Sequence, residues 1–419
     1  MKLKPQIGLF SLTMYGIGVI IGAGIYSLIG VGAGLAGNIL WLAFLISALV
    51  AVFTAFSYAE LSSMFPKEAA EYIYTKKAFK KELFSFAVGW LLAIGTVIAA
   101  TTVSLGFAGY FSTLFGGEIH LIAVGIILVM TVLNYFGLKN AAIFNNVFST
   151  LEIIGLLIVI AVGILFPTNI HVDLFELPDA GFGGIMAAIS VIFFAYMGFE
   201  NLANMSEEVK NSRKVVPIAL LLSLIISCIL YIVVAIVAVS QVGWEALSQS
   251  KAPLMLVVSN ALGQYAGLLS VIALFSTGNT VLIFLIASSR IIYGMSDNGS
   301  LQKVFSQVGK FGTPYISVFL VGFVAAFAAY FLDIKTVAQL SDISVFIAYF
   351  SVNAALISLT GSKEKRSFTS PRFFGVPILA WIGALSSLFM LLFFDLAIWV
   401  WGAVFVMVGL TLYWLNKRK

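Results

Sequence analysis

GIGVIIGAGIYSLIGVGAG, residues 16–34, lies in the first apolar run of the chain and holds seven glycines, at 16, 18, 22, 24, 30, 32 and 34. A membrane-spanning helix is expected there, and glycine inside a helix costs about 1 kcal/mol relative to alanine. A plain anchoring helix has no use for that cost. Two readings compete. In one, small residues bring helices close together, with Gly18/Gly22 and Gly30/Gly34 as GxxxG pairs. In the other, the helix breaks at Gly22-Ala23-Gly24 and presents backbone groups.

The surrounding composition sets the class. Of 419 residues, 61% are hydrophobic and only 10% charged, far below the roughly 25% charged residues of soluble domains. The apolar runs are continuous over about 20 residues and do not alternate, which argues for helices and against a β-barrel. No cleavable signal peptide is read at the N-terminus, because Met-Lys-Leu-Lys leads into a full-length span with no small-residue cleavage site before it. Cys228 is the only cysteine, so no intramolecular disulfide forms. The two histidines, His120 and His171, fall in separate loops, so a metal enzyme has no constellation to work with. No cofactor and no nucleic-acid partner are expected.

Hydropathy places twelve spans, at about 9–30, 39–63, 84–111, 120–138, 146–166, 183–203, 216–241, 267–293, 314–332, 338–359, 375–393 and 396–414. The apolar stretch 252–264 is too short to cross and reads as a re-entrant or interfacial helix. With both termini cytoplasmic, 21 of the 23 basic residues fall inside and only Lys251 and Lys335 outside. That asymmetry also supports the span count, since one missed helix would invert every later loop.

Five spans after the first glycine-rich run comes Phe194-Ala195-Tyr196-Met197-Gly198-Phe199-Glu200, a glycine between aromatics followed by a carboxylate. Matching interruptions in spans 1 and 6 imply two five-helix halves, and because five is odd the second half is inverted. Such repeats set two broken helices side by side at the midplane with the binding site between them. A helix broken in lipid leaves N–H and C=O groups that a ligand must satisfy. Half-helix N-termini attract anions and C-terminal carbonyls attract cations. An α-amino acid zwitterion matches both. Its carboxylate is assigned to the N–H groups of Ala23, Gly24 and Ile25, and its ammonium to the carbonyls of Ile20, Phe194 and Met197.

The run Gly16-Ile17-Gly18 through Ile21-Gly22-Ala23-Gly24-Ile25 resembles the amino acid–polyamine–organocation (APC) transporters, as does FFAYMGFENLANMSEEVKNSRKVVP at 193–217. Further matches are Ala59-Glu60-Leu61-Ser62-Ser63 with Phe65-Pro66 and Tyr72, and Ser289-Arg290 with Gly299. The resemblance covers the chain from about residue 5 to its end. It implies an all-α polytopic protein with the LeuT-like five-plus-five inverted repeat and broken helices 1 and 6. Repeat one would cover about 9–166, repeat two about 183–359, and two extra helices about 375–414, in a single transporter domain. It also implies amino acid or amine transport by alternating access. The substrate-backbone positions fall on Gly22 to Ile25 and on Ala195 to Gly198, the gating aromatic on Phe194, the gate-coupling acid on Glu200, and the helix-8 substrate position near Phe284. A polar patch matches Ser276, Asn279 and Thr280. The chain departs from the pattern at Ala23, where relatives often carry Ser or Thr, at Ala69-Ala70 for Gly-Gly, and at Leu301-Gln302 for Leu-Pro.

Glu152 and Glu200 are the carboxylates placed well inside the membrane, with Asp342 nearer the outer surface. A charge at the bilayer centre costs about 3 kcal/mol or more, so each is a functional residue by default. Many relatives carry Lys at the position of Glu152. Its carboxylate either exchanges a proton or ligates Na⁺ with Asn279, Thr280 and helix-1 carbonyls; a neutral, hydrogen-bonded Glu is the bland alternative. Glu200 is read as a gate or as a cap on the broken helix. Arg290 is read as snorkelling at the inner rim.

Span 3 carries no charged residue; cation-selective members of the family the chain resembles tend to place an acid in this wall, so the resemblance implies neutral amino acids. A pocket bordered by Phe194, Phe199 and Phe284 suits small or apolar side chains. The sequence therefore reads as a secondary active transporter of neutral amino acids in the plasma membrane, driven by a proton or Na⁺, monomeric or homodimeric. The alternatives are an uncoupled exchanger, a cationic amino acid or polyamine transporter, and a permease-like sensor.

Overall fold

Backbone amides buried in hydrocarbon have no water to bond, so a chain this apolar satisfies them within helices. The structure, a computed structural model, describes residues 7–67, 69–137, 141–168, 170 and 172–417, without the side chains of 23, 141–145 and 264. His171 lies outside the described residues. Sixteen α-helices follow in order: α1 (Leu9–Ala23), α2 (Ile25–Ala36), α3 (Leu40–Met64), α4 (Ala70–Phe79), α5 (Glu82–Phe115), α6 (Ile119–Phe136), α7 (Ala141–Leu165), α8 (Gly181–Ile192), α9 (Asn201–Asn204), α10 (Ser212–Gln249), α11 (Pro253–Leu262), α12 (Gly267–Asp297), α13 (Tyr315–Phe331), α14 (Ile334–Ser358), α15 (Ile378–Met390) and α16 (Leu396–Lys417). Among the described residues, nine helical segments are long and apolar enough to cross a membrane, and four shorter apolar ones accompany them. The protein is therefore an all-helical polytopic membrane protein. The stretch read as too short to cross is α11, ten residues opened by Pro253.

The helices sort by burial. The α8–α9 segment, α5, α14 and α12 are largely enclosed, whereas α6, α7 and α16 show most of their surface. On α6 the exposed large apolar residues are Leu121, Leu128, Val129, Val132, Leu133 and Phe136, the apolar face that lipid covers. Several glycines of the opening stretch serve close packing. A Cβ on Gly16 would sit 2.7 Å from Ser223 Oγ, one on Gly30 2.8 Å from the Leu247 carbonyl, and one on Gly32 2.6 Å from Ile192 Cδ1. For these positions the packing reading accounts for the glycine.

One end of the bundle is tied by an ion cluster. Glu60, fully buried at the end of α3, accepts from Arg366 at 2.8 Å and Arg372 at 2.7 Å. It also accepts from the Ser370 N–H at 2.9 Å and its hydroxyl at 2.7 Å. Arg366 donates further to the carbonyls of Leu359, Thr360 and Ser362 where α14 ends. The loop from α14 to α15 is thus latched onto α3, with every carboxylate lone pair engaged, as a buried charge requires. Arg290, by contrast, is 63% exposed and lies 3.6 Å from Glu208.

The departure at Ala69-Ala70 has a local consequence. Ala69 adopts a left-handed conformation (φ 52°, ψ 49°) as it caps α4, a geometry that glycine would take without the ~1–2 kcal/mol an L side chain pays. The loop keeps a glycine-like shape without its glycine.

Candidate functional site

The two interrupted helices differ in how far they open. Between α1 and α2, Gly24 stays near the right-handed region (φ −105°, ψ −69°) and its N–H reaches the Ile21 carbonyl at 3.3 Å. Its own carbonyl accepts from Ser27 at 3.1 Å and Leu28 at 2.9 Å. This is a change of direction that frees few backbone groups. After α8 the chain tightens through Phe193–Tyr196 and then extends at Met197 (φ −67°, ψ 145°). At Gly198 it turns through φ 112° before α9. That conformation favours glycine, so the second break is the deeper one.

The breaks meet face to face. A Cβ on Gly24 would overlap Cα and Cβ of Ala195, and one on Gly198 would overlap Val19. Ile20, Ile25, Phe194, Ala195, Met197 and Phe284 are each fully buried, and Gly22, Gly24 and Gly198 are buried with them. Ala23 closes α1 with its side chain outside the described residues.

Side chains from other helices hold these backbone groups, and one of them, Tyr231, was not foreseen. The Tyr231 hydroxyl on α10 lies 2.6 Å from the Ile20 carbonyl and 3.0 Å from that of Ala195, joining both interrupted helices through one bifurcated donor. Its signal in the sequence was a lone tyrosine inside the apolar run of span 7, whose hydroxyl needs a partner in lipid. Asp342 on α14 accepts the Phe194 N–H at 3.1 Å through Oδ2, while Oδ1 has no partner among the described residues. It was expected nearer the outer surface than Glu152 and Glu200, and the structure brings it against the break at Phe194, because α14 packs along α8 and the following turn. Ser341 beside it donates to the Gly95 carbonyl at 2.8 Å and touches Met197 Sδ at 3.2 Å. Glu200 accepts from the Gly198 N–H at 2.9 Å and from the Tyr349 hydroxyl at 2.8 Å, so it both caps the break and ties it to α14.

A second cluster forms where α1, α7 and α12 meet. A Cβ on Gly22 would overlap Thr280 Oγ1 and lie 3.1 Å from Glu152 Oε1 and 3.2 Å from the Ser276 carbonyl. Three oxygens therefore converge on one point above a glycine that leaves them room. Glu152 is fully buried. No contact of good hydrogen-bond geometry reaches either carboxylate oxygen among the described residues, and the nearest donor is the hydroxyl of Ser276. A buried carboxylate so short of donors calls for a proton or a cation.

Other expected neighbours stand apart. Phe199 packs its ring on Tyr58 at 5.7 Å and Tyr349 at 5.4 Å, whereas Phe194 and Phe284 make no ring contact among the described residues. Asn279 lines a groove of about 440 Å³ with Phe107, Met130, Phe148 and Phe275. One residue along a helix is a rotation of about 100°, and Ser276, one turn before Thr280, takes the place beside Glu152.

The Tyr231 bridge makes a prediction. Tyr231→Phe leaves two buried carbonyls without their donor, which costs about 1–3 kcal/mol. The melting temperature of the purified protein is expected to fall accordingly, and an unchanged value would remove the bridge from the account.

Comparison with known proteins adds an independent observation. A family model described as amino acid permease matches residues 7–411. The chain is 32% identical, over an alignment of 444 positions, to the branched-chain amino acid permease BcaP of Bacillus subtilis (strain 168), covering 100% of this chain and 94% of that one. It is 31% identical over 445 positions to the methylthioribose transporter of the same organism, with the same coverage. Cationic amino acid transporter 4 of Mus musculus is 28% identical over 391 positions, covering 86% of this chain and 61% of the mouse protein.

Proposed function

Because the chain belongs to the amino acid permease family of the APC superfamily, whose members are transporters and not enzymes, we propose that it carries neutral amino acids with apolar side chains across the cell membrane by alternating access. The observation that carries this reading is the direct apposition of two interrupted helices at Gly24 and Ala195. When they part, the amino acid enters between them. Its ammonium takes the Ile20 carbonyl now held by Tyr231, together with the carbonyls of Phe194 and Met197, and its carboxylate faces the start of α2. The neutral preference is supported by the absence of charge in residues 84–111 and by the name of the branched-chain relative. Asp342, with one carboxylate oxygen unpartnered among the described residues and the other on the Phe194 N–H, favours a second reading in which a basic side chain is accepted.

The fold belongs to the proposal at the level of its symmetry. Repeat one runs over about 9–166 and an inverted repeat two over about 183–359, with α15 and α16 outside them and both termini cytoplasmic. Glu152 is the coupling residue. Its orphan oxygens, with Thr280 and the Ser276 carbonyl, take up either a proton or Na⁺.

Uptake into proteoliposomes tests this directly. Labelled leucine, isoleucine and valine are offered under imposed proton or sodium gradients, with arginine and lysine as the contrast. Saturable uptake of the neutral substrates, stimulated by one of the two gradients, is expected. Uptake confined to arginine and lysine would replace the neutral reading with the cationic one.

A further inference from the structure

Glu71 has no place in the site described above, yet it is a fully enclosed carboxylate outside the spanning helices. It stands in the first turn of α4 and is 1% exposed. Asn204, at the end of α9, docks this turn: its Oδ1 accepts the Ala70 N–H at 2.8 Å and its Nδ2 approaches Glu71 Oε2 at 3.4 Å. The other oxygen, Oε1, makes no hydrogen bond of good geometry among the described residues. The buried hydroxyls of Tyr58 and Tyr74 likewise make no bond of good geometry among the described residues, but Tyr58 stands beside Glu71 as the nearest hydroxyl donor to its carboxylate; the two tyrosine rings lie 6.3 Å apart. Tyr58 also packs on Tyr349 at 5.7 Å, the residue that donates to Glu200. One aromatic enclosure thus holds two carboxylates, Glu71 from α4 and Glu200 from the broken helix.

We propose that Glu71 is a proton-binding site of the cytoplasmic gate, which the protonated side chain allows to close and the ionised one opens. This rests on the transport reading and its membrane orientation. The groups facing Glu71 are Tyr58 from α3, Tyr74 from α4 itself, Glu200 and the neutral Asn204 from the broken helix, and Tyr349 from α14. None is a cation. The nearby basic residues are engaged elsewhere: Lys67 with Glu207, Lys76 with the Tyr72 hydroxyl. Burial is the main cause that pushes the Glu71 carboxyl up to about 7, and the like charge of Glu200 adds to it. In an open gate, hydrated Glu71 returns to the ordinary carboxylate range. The closed gate therefore binds the proton more tightly than the open one. Closure is favoured at acidic cytoplasmic pH and lost as pH rises through about 7. The proton comes from the cytoplasm and returns to it.

Two measurements on the full chain test this. The first is infrared difference spectroscopy of the purified protein from about pH 5.5 to 8.5, a range chosen to bracket the shifted carboxyl. A protonated-carboxyl band titrating near neutrality is expected in the wild type and absent in Glu71→Gln, which keeps the size and hydrogen bonding of the neutral form. The second is alkylation of Ala203→Cys in a Cys228→Ser background. Labelling, normalised at each pH to that of the same cysteine in the unfolded protein because the reactive thiolate itself grows with pH, is expected to rise several-fold with alkaline pH and to lose that dependence when Glu71→Gln is added. If Glu71→Gln removes no component titrating near neutrality, or removes one that titrates in the ordinary carboxylate range, the proposal is overturned, as it is by normalised pH-dependent labelling that survives the substitution. If the band behaves as expected but the wild type takes up no amino acid, the transport reading fails while the proton site stands.

Discussion

Gly24→Leu is expected to lower uptake by more than about a hundredfold, while Gly183→Leu leaves it unchanged. Overpacking a filled interior costs about 1–3 kcal/mol when side chains can yield. At Gly24 the obstacle is the backbone and Cβ of Ala195, which cannot rotate away. A cost above ~3 kcal/mol against bringing the helices together corresponds to more than two decades in population. Gly183 is an apt control because a Cβ there meets nothing within 4 Å. The leucine both blocks the substrate position and wedges the helices apart, so folding is checked by monodispersity beside the uptake assay. Normal uptake by well-folded Gly24→Leu would sink the proposed site.

Glu152→Gln is expected to abolish gradient-driven accumulation while downhill exchange continues. The amide has nearly the same shape, so the packing against Gly18 and Gly22 persists. It neither releases a proton at physiological pH nor brings a negative charge to a cation. A one-unit pH step is worth about 1.4 kcal/mol, or roughly tenfold accumulation per coupled proton. A tenfold sodium gradient is worth the same per ion. In the variant that accumulation collapses to equilibration. Counterflow of unlabelled against labelled substrate separates the two activities. Accumulation with unchanged ion dependence would take Glu152 out of the mechanism.

The apolar runs, the basic asymmetry and both glycine-marked interruptions were legible because each is written in a short continuous segment. Their strengths were not. Gly24 and Gly198 look alike as letters, yet one remains close to helical and the other adopts φ 112°. Glu152 and Thr280 were paired from the sequence, and the structure brings them to one point above Gly22. Asn279, grouped with them, borders the groove beside Phe107 and Phe148. In a helix buried on most sides, hydrophobic periodicity is too weak to tell which polar residue faces which neighbour.

By itself, the sequence determined that this is a polytopic helical membrane protein and where its helices are interrupted, because lipid forces backbone bonding into local segments and glycine marks where that bonding changes. Only the tertiary structure decided what meets those interruptions. Tyr231 on Ile20, Asp342 on Phe194 and Glu71 beside Asn204 join residues 211, 148 and 133 positions apart. Such contacts depend on the packing of whole helices, and no local pattern encodes the rotation and depth at which each helix settles.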